Sequence, residues 1–130
     1  MREILFRGKR ADNGEWIYGD LIQNVDCIKI REQEKSIKKI AKSYEVDRDT
    51  VGQFTGLCDK NGKKIFEGDI VLGLFLFDML INAVVKFRDG AFGLEWHRGE
   101  IIEFNAFTSI CNITYEIIGN IYDNPELLEG

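Results

Sequence analysis

Glu67 and Asp69 are the two carboxylates in this chain best spaced to do chemistry. On an extended segment, residues i and i+2 share a face. The pair would therefore offer a divalent cation adjacent oxygen ligands. Glu67-Gly68-Asp69 ahead of the apolar run from Ile70 is equally the sequence of a turn whose acids accept from backbone N–H groups, and the turn is the preferred reading. Asp59-Lys60-Asn61-Gly62 has some of the look of a calcium loop, but it lacks the alternating ligands and the distal glutamate that complete such a site. A plain turn fits it better. Cys27, Cys58, Cys111 and His97 are the only thiols and the only imidazole. With no Cys-x-x-Cys pair, a zinc site would need all four to converge through folding. His97, between Trp96 and Arg98, reads as a surface residue rather than as the base for a cysteine nucleophile. The phosphate loop G-x-x-x-x-G-K-[ST], the nucleophile elbow G-x-S-x-G and the H-E-x-x-H zinc motif are all absent. The expectation is no catalytic residue, no metal site, no cofactor and no enzymatic activity.

The side chains best placed to bind something are basic. Lys35, Lys38, Lys39 and Lys42 recur at three- and four-residue spacing, and Arg7, Lys9 and Arg10 form a second cluster. Such residues can meet phosphates, although a solvated helix face explains the lysine stripe more simply. Tyr44 is the one aromatic near the stripe, so the interleaving of rings and cations found in single-strand binders is weak there.

Composition narrows the classes further. A length of 130 residues suits one domain, or two small lobes sharing a core. With 45% hydrophobic and 12% aromatic residues, a packed core is expected rather than disorder. The longest apolar-rich run, Ile70 to Val85, is interrupted by Gly73, Asp78 and Asn82, and falls short of the roughly 20 apolar residues of a membrane span. The N-terminus MREILFRGKR lacks the apolar core of a signal peptide, so a cytoplasmic protein is expected. The net charge of −5 is uneven: residues 1–50 carry eleven Lys/Arg against ten Asp/Glu, and residues 51–130 carry six against twelve. The overall field opposes a general coating of nucleic acid.

The elements that must position these residues are mostly strands. Thirteen glycines and a single proline suit turns between short strands better than long helices, where each glycine costs about 1 kcal/mol. Asn13-Gly14, Asn61-Gly62 and Asp89-Gly90 are two-residue hairpin signals. Around the last, Val85 and Phe87 alternate with Lys86 and Arg88, and Phe92 and Leu94 with Gly93 and Glu95. That period of two marks a half-buried antiparallel pair, Ala83–Arg88 with Ala91–Trp96. Further strands are expected at Arg2–Arg7, Trp16–Ile22, Cys27–Arg31, Gly52–Gly56, Ile70–Phe77 and Tyr115–Tyr122, with Gly119 as a bulge or close backbone approach. Glu34–Glu45 reads as an amphipathic helix with Ile37, Ile40, Ala41 and Tyr44 on its apolar side. A strand ending at Val46 is the alternative. After Asn124 a helical turn is expected, capped by Asn124, opened by Pro125, and held by Leu127 and Leu128.

Thr50-Val51-Gly52-Gln53-Phe54-Thr55-Gly56-Leu57 followed by Asp59-Lys60-Asn61-Gly62-Lys63-Lys64-Ile65-Phe66-Glu67-Gly68-Asp69-Ile70-Val71 resembles the central signature of the YopX family. Ile117 to Leu128, Arg2 to Arg7 and Phe87 to Phe92 also fit it. Glu32–Tyr44 and Glu95–Thr114 carry no part of the resemblance. The resemblance implies a small protein of bacteriophages and prophages with a β-rich, barrel-containing fold, and it brings no catalytic residues. The signature itself reads as architecture: glycines for turns, apolar residues for the core, and Thr50, Gln53 and Thr55 to tie backbone groups.

Together these readings predict a single domain over 1–130, mainly β (a β-rich α+β chain), with an SH3-like barrel in the C-terminal half and one short amphipathic helix. The expected role is that of a non-enzymatic phage accessory protein working through contact with a host or phage protein, or as a homo-oligomer. A nucleic-acid binder using the lysines and a metal-dependent enzyme around Glu67 and Asp69 are the alternatives.

Overall fold

The computed structural model describes residues 2–33, 41–76, 79–107 and 115–128. The chain divides into two compact units, Met1–Phe54 and Thr55–Gly130.

The first unit is an antiparallel sheet. It contains β1 (Phe6–Lys9), β2 (Trp16–Gln23), β3 (Ile28–Glu32), β4 (Ser43–Glu45) and the opening residues of β5 (Gly52–Cys58), hydrogen-bonded in the order β4-β3-β2-β1-β5. Alternation sorts its side chains. Ile17 on β2 and Ile30 on β3 are buried with Val46, and Phe6, Leu21, Ile28, Tyr44 and Val51 pack against them. The intervening positions of β1 and β2, Arg7, Lys9, Trp16 and Tyr18, take the opposite face. The first strand begins later than expected, at Phe6 rather than Arg2. The candidate helix resolves in part: Glu34–Ile40 lies outside the described residues, and Ser43–Glu45 is strand. Tyr44 sits opposite Ile30 and joins the core around it, so packing settles a stretch that lysine spacing alone reads as helix.

The second unit carries the rest of β5, which pairs with β6 (Lys64–Phe66), and an antiparallel five-stranded sheet. Its members are β7 (Asp69–Leu76), β8 (Met79–Arg88), β9 (Ala91–Arg98), β10 (Ile101–Ala106) and β11 (Glu116–Asn120), in the order β10-β9-β8-β7-β11. Ile65, Val71, Ala83, Val85, Leu94, Trp96 and Tyr115 form its core. The Asp89-Gly90 hairpin is as expected. Phe87 faces Phe92 across it, and both turn residues have positive φ, 53° and 83°, the demand of a type I′ turn.

The other two Asn-Gly pairs do not make two-residue hairpins. Asn13-Gly14 lies inside the loop from Arg10 to Glu15, closed by Arg10 N–H donating to the Glu15 carbonyl at 2.8 Å. Asn61-Gly62 lies inside a loop closed by Asp59 N–H donating to the Lys63 carbonyl at 2.8 Å. In both, the residue that opens the loop organises it, which a dipeptide signal does not reveal. A second two-residue connection, Gly99-Glu100, joins β9 to β10 with Gly99 at φ 64°. The chain is mainly β, but among the described pairings the five-stranded sheet stays open, with β10 and β11 as its two ends.

Candidate functional site

Two groups of residues compete for the role of site: the polar residues of the signature and the basic residues.

The signature residues act on backbone. Asp59 is 5% exposed, and its carboxylate takes three N–H donors. Oδ1 accepts from Asn61 and Lys63, both at 2.9 Å, and Oδ2 accepts from Ile117 at 3.0 Å. Desolvation pushes this carboxyl up, but the N–H groups of Ile117, Lys63 and Asn61 outweigh it and hold Asp59 below the usual carboxylate range. Asp69 is buried, and its Oδ2 accepts from Phe66 N–H at 2.8 Å, closing the Glu67-Gly68 turn as expected. The Thr55 hydroxyl donates to the Ile65 carbonyl at 2.9 Å and accepts from Leu57 N–H at 3.2 Å. Thr50 does the same between the Asp47 carbonyl and Lys9 N–H. Gly119 lies at the register shift between β11 and β7. A Cβ there would come 2.5 Å from Asn124 Oδ1, so Gly119 is both the expected bulge and a close approach. Asn124 precedes the turn Pro125–Leu128 as expected, and its carbonyl accepts from Leu127 N–H at 3.1 Å; its side-chain Oδ1 turns back instead and accepts from Asn120 N–H at 3.3 Å. Leu128 does not pack back; it is 45% exposed.

The N-terminal basic cluster splits in two. Arg7 and Lys9 alternate on β1 and both lie over Trp16, with the Arg7 guanidinium 4.6 Å and the Lys9 ammonium 5.5 Å from the ring centroid. Arg7 is buried, and Tyr18, opposite it on β2, is 45% exposed. Arg10 stacks on Tyr44 at 4.3 Å and makes a bidentate pair with Asp12, at 2.9 and 2.6 Å. That hydrogen-bonded pair holds the Asp12 carboxyl below its ordinary value and raises Arg10. Arg10, Ala11, Asp12, Tyr44 and Glu45 line an open hollow of about 140 Å³, well short of the roughly 300 Å³ and more of typical small-molecule sites. Of the lysine stripe, Lys42 is exposed and its carbonyl accepts from Glu32 N–H at 2.9 Å, while Lys35, Lys38 and Lys39 lie outside the described residues.

The sequence reading missed Trp16 and Tyr18 as the rings beside Arg7 and Lys9. The signal was their i, i+2 spacing on a strand following the basic one. Among the described residues, no three His, Cys, Asp or Glu side chains gather as a metal site requires, and no helix is long and apolar enough to cross a membrane. Large apolar side chains do stand in solvent: Phe87 is 55%, Ile101 60% and Ile102 51% exposed.

Comparison with known proteins accords with this geometry. The fold is similar to two crystal structures, protein yopX of Bacillus subtilis (TM-score 0.62) and protein EF1440 of Enterococcus faecalis (TM-score 0.57). Each is 22% identical, over 99% of this chain and 100% of that one. A search of curated proteins returns no match. The family model described as YopX protein matches residues 5–129, the span that contains the Asp59, Asp69 and Gly119–Asn124 stitches, and the chain belongs to the YopX family.

Proposed function

We propose that this protein is a non-enzymatic accessory protein of a phage or prophage that works in the bacterial cytoplasm by contact with another protein. The observation that supports this is the division of labour among its side chains. The signature oxygens with chemistry to offer are engaged by backbone N–H groups. Several large apolar or aromatic side chains are left in water, among them Tyr18, Phe87, Ile101 and Ile102. Aromatic and aliphatic anchors surrounded by polar residues are what a protein partner buries.

The test starts with the full chain as bait in extracts of cells in which a phage encoding such a protein is replicating. Any retained protein is then made pure, and its affinity is measured. The expected result is a saturable complex of micromolar or tighter Kd, weakened at least tenfold by Tyr18→Asp or Phe87→Asp. Retention of nothing, or of a partner indifferent to every exposed apolar position, overturns the reading.

A further inference from the structure

The two ends of the five-stranded sheet are finished differently. At β11 the outer edge is closed. Lys60 N–H donates to the Tyr115 carbonyl at 2.8 Å, and Ile117 N–H donates to Asp59 Oδ2 at 3.0 Å. Asn120 N–H donates to Asn124 Oδ1 at 3.3 Å. At β10, no strand pairs with the outer edge among the described residues. The strand reads Ile101-Ile102-Glu103-Phe104-Asn105-Ala106. It has none of the lysines, prolines or bulges with which exposed edges are usually blunted. Its one charge, Glu103, lies 3.6 Å from the Arg98 guanidinium of β9.

The register of β10 on β9 fixes which backbone groups face outward. Phe107 N–H donates to the Phe92 carbonyl at 2.9 Å, continuing the ladder in which Asn105 faces Leu94 and Glu103 faces Trp96. Antiparallel ladders alternate hydrogen-bonded and non-hydrogen-bonded pairs. Residues 101, 103, 105 and 107 therefore point N–H and C=O at β9, and residues 102, 104 and 106 point theirs outward.

We infer that this edge pairs with the same edge of a second copy, antiparallel, about a two-fold axis at Phe104. In that register Phe104 exchanges both backbone bonds with Phe104 of the second copy, and Ile102 does so with Ala106. The outward groups of 102, 104 and 106 are thereby satisfied with none left over. Side chains agree with it. Ile102 meets Ala106, Ile101 faces Phe107, and Glu103 faces Asn105, so no like charges are opposed, while each Phe104 ring lies back over Gly93 of its own β9. A two-fold axis at Glu103 would set carboxylate against carboxylate, which is destabilising across a strand pair. A self-complementary patch is what an isologous dimer requires. The occupant is a second copy because, with the axis at Phe104, every outward residue of β10 finds its partner within β10 of the other copy and no like charges meet.

The inference shares with the proposed function only the premise that exposed apolar side chains are contact surface. Its test uses the pure full-length chain alone, so a failure here leaves hetero-partner binding to be measured separately. Sedimentation equilibrium over micromolar concentrations is combined with residue-resolved amide exchange. The expected result is a dimer in which the amides of Ile102, Phe104 and Ala106 gain protection with concentration while those of 101, 103 and 105 stay constant. Ile102→Lys and, separately, Ala106→Lys weaken the dimer at least tenfold and leave the circular dichroism spectrum of the chain unchanged. A chain that is monomeric throughout overturns the inference. So does a dimer that survives both lysine variants, or an edge whose outward amides become protected only when another protein is added.

Discussion

Replacing Asp59 with Asn tests whether the signature is architecture. The carboxylate accepts three backbone N–H bonds from a 5% exposed position. An amide oxygen in the Oδ1 position keeps the bonds from Asn61 and Lys63, but its NH2 group then faces Ile117 N–H, donor against donor. One charge-assisted bond across 58 residues of chain is lost, and a half-buried strand amide is left unpaired. Each such loss costs about 1.5–3 kcal/mol, a large share of a typical domain's stability. The pH dependence sharpens the test. Asp59 is held below its ordinary value of 3.8 in the folded chain. Its stabilisation is therefore complete well above that value and disappears as pH falls through 3.8 toward the depressed folded value. Asp12 and Asp20 are also held low, the first by Arg10 and the second by Gln33 and then Arg31, but they are present in both proteins and cancel in the difference. Urea unfolding at neutral pH should show D59N less stable by about 1.5–3 kcal/mol, and the gap should narrow on acidification below pH 4. Equal stability at neutral pH, or a gap that does not shrink in acid, would refute the assignment of Asp59 as the stitch between the 59–63 loop and β11.

Gly119→Ala should cost about 1–3 kcal/mol, the usual penalty of an overpacked site, because the new Cβ meets Asn124 Oδ1 at 2.5 Å. Combined with Asn124→Ala, the two changes should be strongly non-additive in thermal unfolding, the second relieving the first. Gly90→Ala, at φ 83° in the β8–β9 turn, should lower stability by about 1–2 kcal/mol, read as a shift in denaturation midpoint. Arg7→Met removes a guanidinium 4.6 Å from the Trp16 ring and should change tryptophan emission, whereas Arg10→Ala, stacked on Tyr44, should leave it unchanged.

The chain's alternation made much of this fold legible. Val85, Phe87, Phe92 and Leu94 around Asp89-Gly90 mark a hairpin that the structure contains, because a two-residue turn and a one-sided apolar pattern determine each other locally. Gly119 could be read as a bulge because a glycine inside a strand has few other uses. What could not be read depends on distant partners. Nothing near Asp59 names Ile117 as its third donor. Strand β10 went unseen because Ile101 and Ile102 put apolar side chains on both faces and erase the period of two, and because its turn is Gly99-Glu100 rather than Asn-Gly. The stretch 43–45 stayed open between helix and strand because lysine spacing is a surface property, while Tyr44 answers to Ile30 across the sheet. The basic cluster looked like one site because sequence proximity hides alternation: Arg7 and Lys9 go to Trp16, and Arg10, past the end of β1, turns to Tyr44 and Asp12.

The two sheet ends show how such a chain can separate folding from contact. The hydrogen bonds described above at the β11 edge each involve a residue of the signature: Asp59 and Lys60 from its central run, Asn120 and Asn124 from its C-terminal run. Those of Asp59 and Lys60 connect to Ile117 and Tyr115 and so join the front and the back of the second unit, a long loop whose closure must be offset by strong local interactions, while the Asn120–Asn124 bond is local. β10 lies inside Glu95–Thr114, which carries none of the signature. A substitution there, such as Ile102→Lys, touches no stitch and no core residue. The β11 edge is tied into the fold by these bonds, whereas exposed positions of β10 such as Ile101 and Ile102 can change at little cost to stability.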